Sequence, residues 1–335
     1  MNHRQIIITA WKMSQTHKRK LFWFGFIPSF LSTLVGIVYV LYQYYSFKSS
    51  PIFTGKDFDF IGFFQSVWEF ATANTSFSIV LLVVAVFVVL AWFFTPPIFH
   101  GGIIQLVFNA AKGKEVRKRD GISAGLLHYV RLFEFHSLTE IFSLTSIFTA
   151  ATYFPKYVGL GAFYAILAPL IFLVIVVAIS FILFIYVEYF VVLKDENVIK
   201  AIGSSCRLVI FYFTETFIVG ALMLIIGLRV IINILVVFLV PIIVITLAGY
   251  LASVFLTPYA IILSLIIGLI LLCIAAYIGG TFNIFAIATW ELAFFELMKK
   301  EKVEKEETLD ELINKAVSPT KEEPSPHKPL PAPHD

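Results

Sequence analysis

The sequence predicts an all-α, polytopic transmembrane helical bundle of about six spans, with cytoplasmic amphipathic helices and a disordered C-terminal tail. Three observations predict it. Residues 77–94 and 167–184 each run eighteen residues without a charge, close to the ~20 apolar residues that cross a bilayer as helix. The composition is 59% hydrophobic and only 14% charged, with a mean hydropathy of +0.89. The basic residues gather in a few short segments between the apolar runs, as the positive-inside rule requires of cytoplasmic loops.

The spans follow in order. Residues 1–20 are polar and basic, with Ile6, Ile7, Ala10 and Trp11 clustered between Arg4 and Lys12, a pattern that lies in the membrane interface. The first span is expected over 21–46, too long an apolar run for the core of a cleaved signal peptide. The connection 47–76 carries Phe53, Phe58, Phe60, Phe63, Phe64, Trp68 and Phe70, and aromatics at that density suit a membrane–water interface. The second span, 77–111, is kinked or broken at Pro96-Pro97, because each proline removes a helical donor. Further spans are expected over 126–150, 162–193, 208–248 (broken near Arg229 or Pro241) and 258–290. The membrane domain is 1–298, and 299–335 is a charged, then Pro-rich tail.

Charge sets the orientation. Residues 1–298 hold 18 Lys/Arg against 13 Asp/Glu, and the tail holds 7 against 9. With six spans the basic clusters at 4–20, 112–119 and 194–207 and the tail lysines share one side. Both termini are therefore expected in the cytoplasm. Lys112, Lys114, Arg117, Lys118 and Arg119 form a basic loop suited to an anionic lipid leaflet rather than to nucleic acid. In the tail, Thr308-x-x-Glu311 resembles a capping box opening a short helix. The six prolines within 318–335 preclude a core, leaving a solvated tail or a docking peptide for a protein partner.

Three segments carry a family likeness. The first is Ala10-Trp11-Lys12 followed by Lys18-Arg19-Lys20-Leu21-Phe22-Trp23-Phe24-Gly25. The second is Gly101-Gly102-Ile103-Ile104 with Gly113-Lys114. The third runs from Val187-Glu188-Tyr189 to Lys194-Asp195-Glu196, then Lys200-Ala201-Ile202 and Ser204-Ser205-Cys206-Arg207. In this order they resemble a broad group of uncharacterised prokaryotic six-helix integral membrane proteins similar to the membrane domain attached to some glycerophosphodiester phosphodiesterases. The resemblance spans about residues 8–298. It implies six helices, a cytoplasmic amphipathic helix after the fourth span, a plasma-membrane location and no established activity. This chain carries no phosphodiesterase domain to which that chemistry would transfer.

The candidate polar residues are Glu134, His136, Glu140, Glu188, Glu215 and Arg229. His136 and Glu140 share a helix face at i,i+4, and His128, Arg131 and Glu134 form a ladder at three-residue steps. Ionisable groups in a bilayer mark ion or proton paths. The plainer account is a wet amphipathic segment over 122–140 and helix–helix pairing for Glu188, Glu215 and Arg229. No nucleophile elbow, zincin motif, Walker loop or dinucleotide fingerprint occurs. The two cysteines, Cys206 and Cys273, form no disulfide or metal pattern. No cofactor and no metal are expected. The leading expectation is a non-enzymatic membrane accessory or scaffold protein contacting lipids and a protein partner. The alternative is a small transporter or channel for an ion or amphiphile, using polar residues in broken helices.

Overall fold

The computed structural model describes residues 2–48, 69, 72–73, 75–141, 144–157, 160–228, 231 and 257–317. The aromatic cluster Phe53–Phe70, Arg229, Pro241 and the Pro-rich stretch 318–335 lie outside them. The described residues are helical and contain no strand. The helices are α1 (His3–Thr16), α2 (Lys18–Lys48), α3 (Thr75–Ala111), α4 (Lys118–Leu127), α5 (Tyr129–Ile141) and α6 (Leu144–Tyr157). They continue as α7 (Leu160–Leu183), α8 (Val187–Lys194), α9 (Val198–Phe211), α10 (Phe213–Leu228) and α11 (Thr257–Val317).

Four helical stretches are long and apolar enough to cross a membrane: Lys18–Tyr39, Ser78–Ala111, Tyr164–Lys194 and Gly268–Glu304. A fifth exists if α9 and α10, which meet at 94°, form one broken span. The segment 126–150 takes another form, with α5 and α6 only 13 and 14 residues long.

The prolines of α3 do not interrupt it; the helix runs unbroken from Thr75 to Ala111 through Pro96 and Pro97. Proline deprives the carbonyls of Trp92 and Phe93 of their i+4 donors. One residue earlier, the Thr95 hydroxyl donates to the Ala91 carbonyl, a bond beside the two carbonyls the prolines leave without donors rather than to either of them. The junction of α7 and α8 is handled differently. Three residues, 184–186, leave the helical pattern there. Ser205 of α9 accepts the Tyr186 N–H at 3.2 Å and donates to the Leu183 carbonyl at 2.6 Å. A backbone break inside an apolar span is thereby satisfied from a neighbouring helix.

Helices in lipid gain little from apolar burial against one another, so close approach and van der Waals contact must hold them. Glycine supplies that approach at two crossings. In α4, Gly121 and Gly125 are spaced i,i+4 and face Gly101 and Gly102 of α3. A Cβ on Gly125 would lie 2.0 Å from the Ile98 carbonyl oxygen, and one on Gly102 3.1 Å from the Gly121 oxygen. Phe24 of α2 fills the space beside Gly102 and Gly121. At the second crossing Gly25 of α2 meets Gly280 of α11, where a Cβ on Gly25 would stand 2.5 Å from the Gly280 carbonyl oxygen. Trp11 of α1 packs edge-on to Phe285 of α11 at 5.5 Å. Both glycine pairs, Gly101-Gly102 and Gly279-Gly280, thus have a packing reason.

The core gathers at one end of these spans. Ile103, Ile104, Leu106, Leu132, Val187 and Val191 are fully buried. The earlier half of α3 shows Val80, Leu82, Val83 and Phe87 on the outside, and α7 shows Ile171, Phe172, Ile175 and Phe181. An apolar surface of this extent belongs against lipid.

The chain divides into two units, Met1–Phe294 and Phe295–Asp335. In the second, Lys300–Glu304 and Lys302–Glu306 pair at i,i+4 spacing, at 3.8 and 3.6 Å. No new helix opens at Thr308, because α11 runs on to Val317. The stretch 299–317 holds neither glycine nor proline and is rich in Glu, Lys and Leu, all good helix formers.

The glycine crossings are testable by thermal unfolding in detergent or nanodiscs. Gly125→Ala should destabilise by about 1–3 kcal/mol or more, since backbone must move to admit the methyl. Gly203→Ala, with nothing within 4 Å of its added Cβ, should be neutral or stabilising. Equal melting temperatures for the two variants would remove the crossing as a determinant of the fold.

Candidate functional site

One cluster of ionisable groups lies at the buried end of the spans. It is built from three elements. His100 of α3 stands between Pro97 and the Gly101-Gly102 crossing, so close packing on α4 holds its turn of helix. His136 projects from α5, beside Phe135, whose ring meets Phe184 at 6.4 Å. Glu188 lies in the first turn of α8, where the helix dipole favours negative charge. The Ser205 bridge starts that helix where it does.

The carboxylate sits between the two imidazoles. Glu188 Oε2 is 3.3 Å from His100 Nδ1, and Oε1 is 3.0 Å from His136 Nε2. The His rings stand edge to face with centroids 5.2 Å apart. The three side chains keep 23%, 24% and 19% of their surface, so they are shielded but not sealed. The two contacts differ in kind. His100 is hydrogen-bonded to Glu188. His136 Nε2 is close to its oxygen yet buried with no aligned hydrogen bond, so its contact is an ion pair rather than an aligned hydrogen bond. The three ligand-capable atoms all lie within 4.8 Å of one another, a spacing at which one metal ion could reach them.

A second cluster fastens α5 to α8 nearer the helix ends. Asp195, the left-handed C-cap of α8 with φ 56°, accepts from Arg131 through both its side chain and its carbonyl. His128 Nδ1 lies 3.7 Å from the same carboxylate. Burial pushes the His128 imidazole below its ordinary pKa, against the pull of Asp195 and with a smaller push from Arg131. The pairs 136/188 and 131/195 run antiparallel, so α5 and α8 are joined at two heights.

The candidate residues separate accordingly. His136 and Glu188 come together. Glu134 and Glu140 are exposed, consistent with Glu134 facing away from His136. Glu215 is half-buried on α10 and is not one of the three, and Arg229 lies outside the described residues. In the ladder, His128 and Arg131 converge on Asp195, and Glu134 does not join them. The basic loop is exposed at Lys112, Lys114, Arg117, Lys118 and Arg119. Arg117 turns back onto Glu115, with its Nη2 2.7 Å from the carboxylate. That hydrogen bond, with the guanidinium's charge, lowers the Glu115 pKa. Lys112 rests its ammonium 4.0 Å above the Phe108 ring.

Two residues escaped the sequence reading. His100 is the one ionisable side chain between residues 77 and 111, and that isolation was the available signal. Glu291 on α11 is fully buried, and neither carboxyl oxygen has a hydrogen-bond partner among the described residues. Its neighbour Tyr189 donates elsewhere, to the Ile287 carbonyl at 3.1 Å.

The clamp between α5 and α8 yields a measurable coupling. A double-mutant cycle of His136→Ala with Glu188→Gln, read by reversible denaturation, should give an interaction energy of about 0.5–3 kcal/mol. The same cycle with Glu134→Ala should give a value near zero. Equal values would mean that the contact contributes nothing specific.

Comparison of the chain with protein-family models, with curated proteins and with solved structures finds no match to any of the three.

Proposed function

We propose that this protein is a non-enzymatic accessory or scaffold protein integral to a prokaryotic plasma membrane. In this reading it has six spans, both termini in the cytoplasm, and contacts with anionic lipids and with a protein partner through its tail. The observation that carries the reading is where the polar groups go. His100, His136 and Glu188, and Arg131 with Asp195, pair with one another across α3, α5 and α8. Those charges tie short helices onto the ends of the spans. The exposed basic loop at 112–119 lies at the same end of α3, which suits the anionic cytoplasmic leaflet. The resemblance to the phosphodiesterase-attached membrane domain supports the location and the span count.

A transporter or channel is the second reading, and Glu291 favours it. A buried carboxyl without a hydrogen-bond partner among the described residues is expensive to keep for structure alone, and such groups in spans often carry protons.

The readings part on three measurements made on protein extracted into nanodiscs from its own membrane. Glutamine at Lys112, Lys114, Lys118 and Arg119 should lower the retained ratio of anionic to zwitterionic lipid at least several-fold, since even one surface cation attracts the anionic leaflet by ~1 kcal/mol. Deleting residues 301–335 should release a co-purifying protein. Unchanged lipids and partners in both variants, with ion or proton flux abolished by Glu291→Gln in liposomes, would replace the scaffold reading with the transporter.

A further inference from the structure

We propose that His100, His136 and Glu188 form a binding site for one divalent transition-metal ion of the zinc class. The donor set comes first. Two imidazole nitrogens and one carboxylate oxygen suit Zn²⁺ and its first-row neighbours, whereas Mg²⁺ and Ca²⁺ prefer shells made of oxygen. Spacing comes second. Tetrahedral zinc holds nitrogen and oxygen ligands at about 2.0–2.1 Å, which places neighbouring ligand atoms roughly 3.3–3.4 Å apart. Glu188 Oε2 stands 3.3 Å from His100 Nδ1 and its other oxygen, Oε1, 3.0 Å from His136 Nε2, and one ligand atom from each residue falls within 4.8 Å of the others. A small closing movement of the imidazoles completes one face of a tetrahedron.

The third observation points to a ligand directly. His136 Nε2 is buried and lacks an aligned hydrogen bond although a carboxylate oxygen lies 3.0 Å away. A buried nitrogen beside a carboxylate oxygen, out of hydrogen-bond alignment with it, is an arrangement that two ligands of one ion also adopt. Buried polar atoms are rarely left so. With both histidines neutral, the bound ion would balance the Glu188 charge and leave a net single positive charge. The fourth position is open to water, to an anion or to the second Glu188 oxygen.

The site also has a mechanical meaning. Its ligands come from α3, α5 and α8, so an ion would join two of the spanning stretches to a short helix with stronger bonds than the present contacts. Glu188 is six residues from the end of the Tyr164–Lys194 stretch, about 9 Å at the helical rise, so an ion need not cross the hydrocarbon centre to arrive. The inference does not depend on the scaffold reading, because a metal clamp would serve either function.

The test uses the full chain in nanodiscs, stripped with chelator and then titrated with Zn²⁺ and separately with Co²⁺. The expected result is one equivalent of Zn²⁺ per chain by native mass spectrometry and a Zn²⁺-dependent rise in melting temperature. Co²⁺ should add visible d–d bands of a low-symmetry, four- or five-coordinate ion. Glu188→Gln and His136→Gln should each weaken uptake at least tenfold and remove the cobalt bands, and Glu134→Gln and Glu140→Gln should leave both unchanged. Wild-type protein that takes up neither ion overturns the proposal, whatever the variants do. So does uptake that survives both ligand substitutions in folded protein, which would place the ion elsewhere.

Discussion

Close backbone approach at glycine is the constraint on which the rest of this structure depends. Lipid tails are as apolar as leucine, so the spans have little hydrophobic reason to leave lipid for one another. Contact between helix backbones must supply the attraction. Gly125 against the Ile98 carbonyl and Gly25 against Gly280 bring helices nearer than any side chain would allow. These crossings set α4 under the end of α3 and α2 beside α11. His100, which lies between Ile98 and Gly101 within the first crossing, inherits its position from that packing.

The second level is polar and local. The break between α7 and α8 is repaired by a hydroxyl from the next helix. Thr95 serves Ala91 ahead of the proline pair, and Ser205 serves both sides of the α7–α8 junction. The repair at Ser205 has a consequence beyond satisfaction of the backbone. It starts α8 at Val187 and so places Glu188 in a first turn, where the helix dipole favours its charge. Charge pairing then draws α5 onto α8 at His136 and again at Arg131.

The result is a protein of two textures. The earlier half of α3 and the length of α7 present bare apolar surface. The other ends are dense with buried aliphatic residues, aromatic contacts and paired charges. Tyr186 and Tyr189 sit there against Trp290 and Phe294 of α11. Ionisable groups collected at one end can still be reached from water, whereas the same groups at mid-depth would face the full penalty of the hydrocarbon. A function that uses lipid headgroups, a docked protein or a captured ion is most economically built at that end.

The sequence by itself determined the class of the protein and much of its linear plan. Long uncharged runs have one stable form in a bilayer, so helices of spanning length were legible at α2, α3, α7 and α11, as was the exposed basic loop. Composition reports such features because they depend on neighbours along the chain. Two of the three site residues were legible for the same reason: His136 and Glu188 stood out as charges near apolar runs. Their pairing did not, nor did the part taken by His100, because residues 100, 136 and 188 meet only after three helices pack. The unbroken α3 and the continuous α11 also departed from what single motifs announced. A proline pair reads as a break although the helix runs through it, and a capping motif reads as a start although the Glu- and Lys-rich helix before it runs on. The meeting of His100, His136 and Glu188 turns instead on which groups find partners in space, and tertiary packing alone settles that.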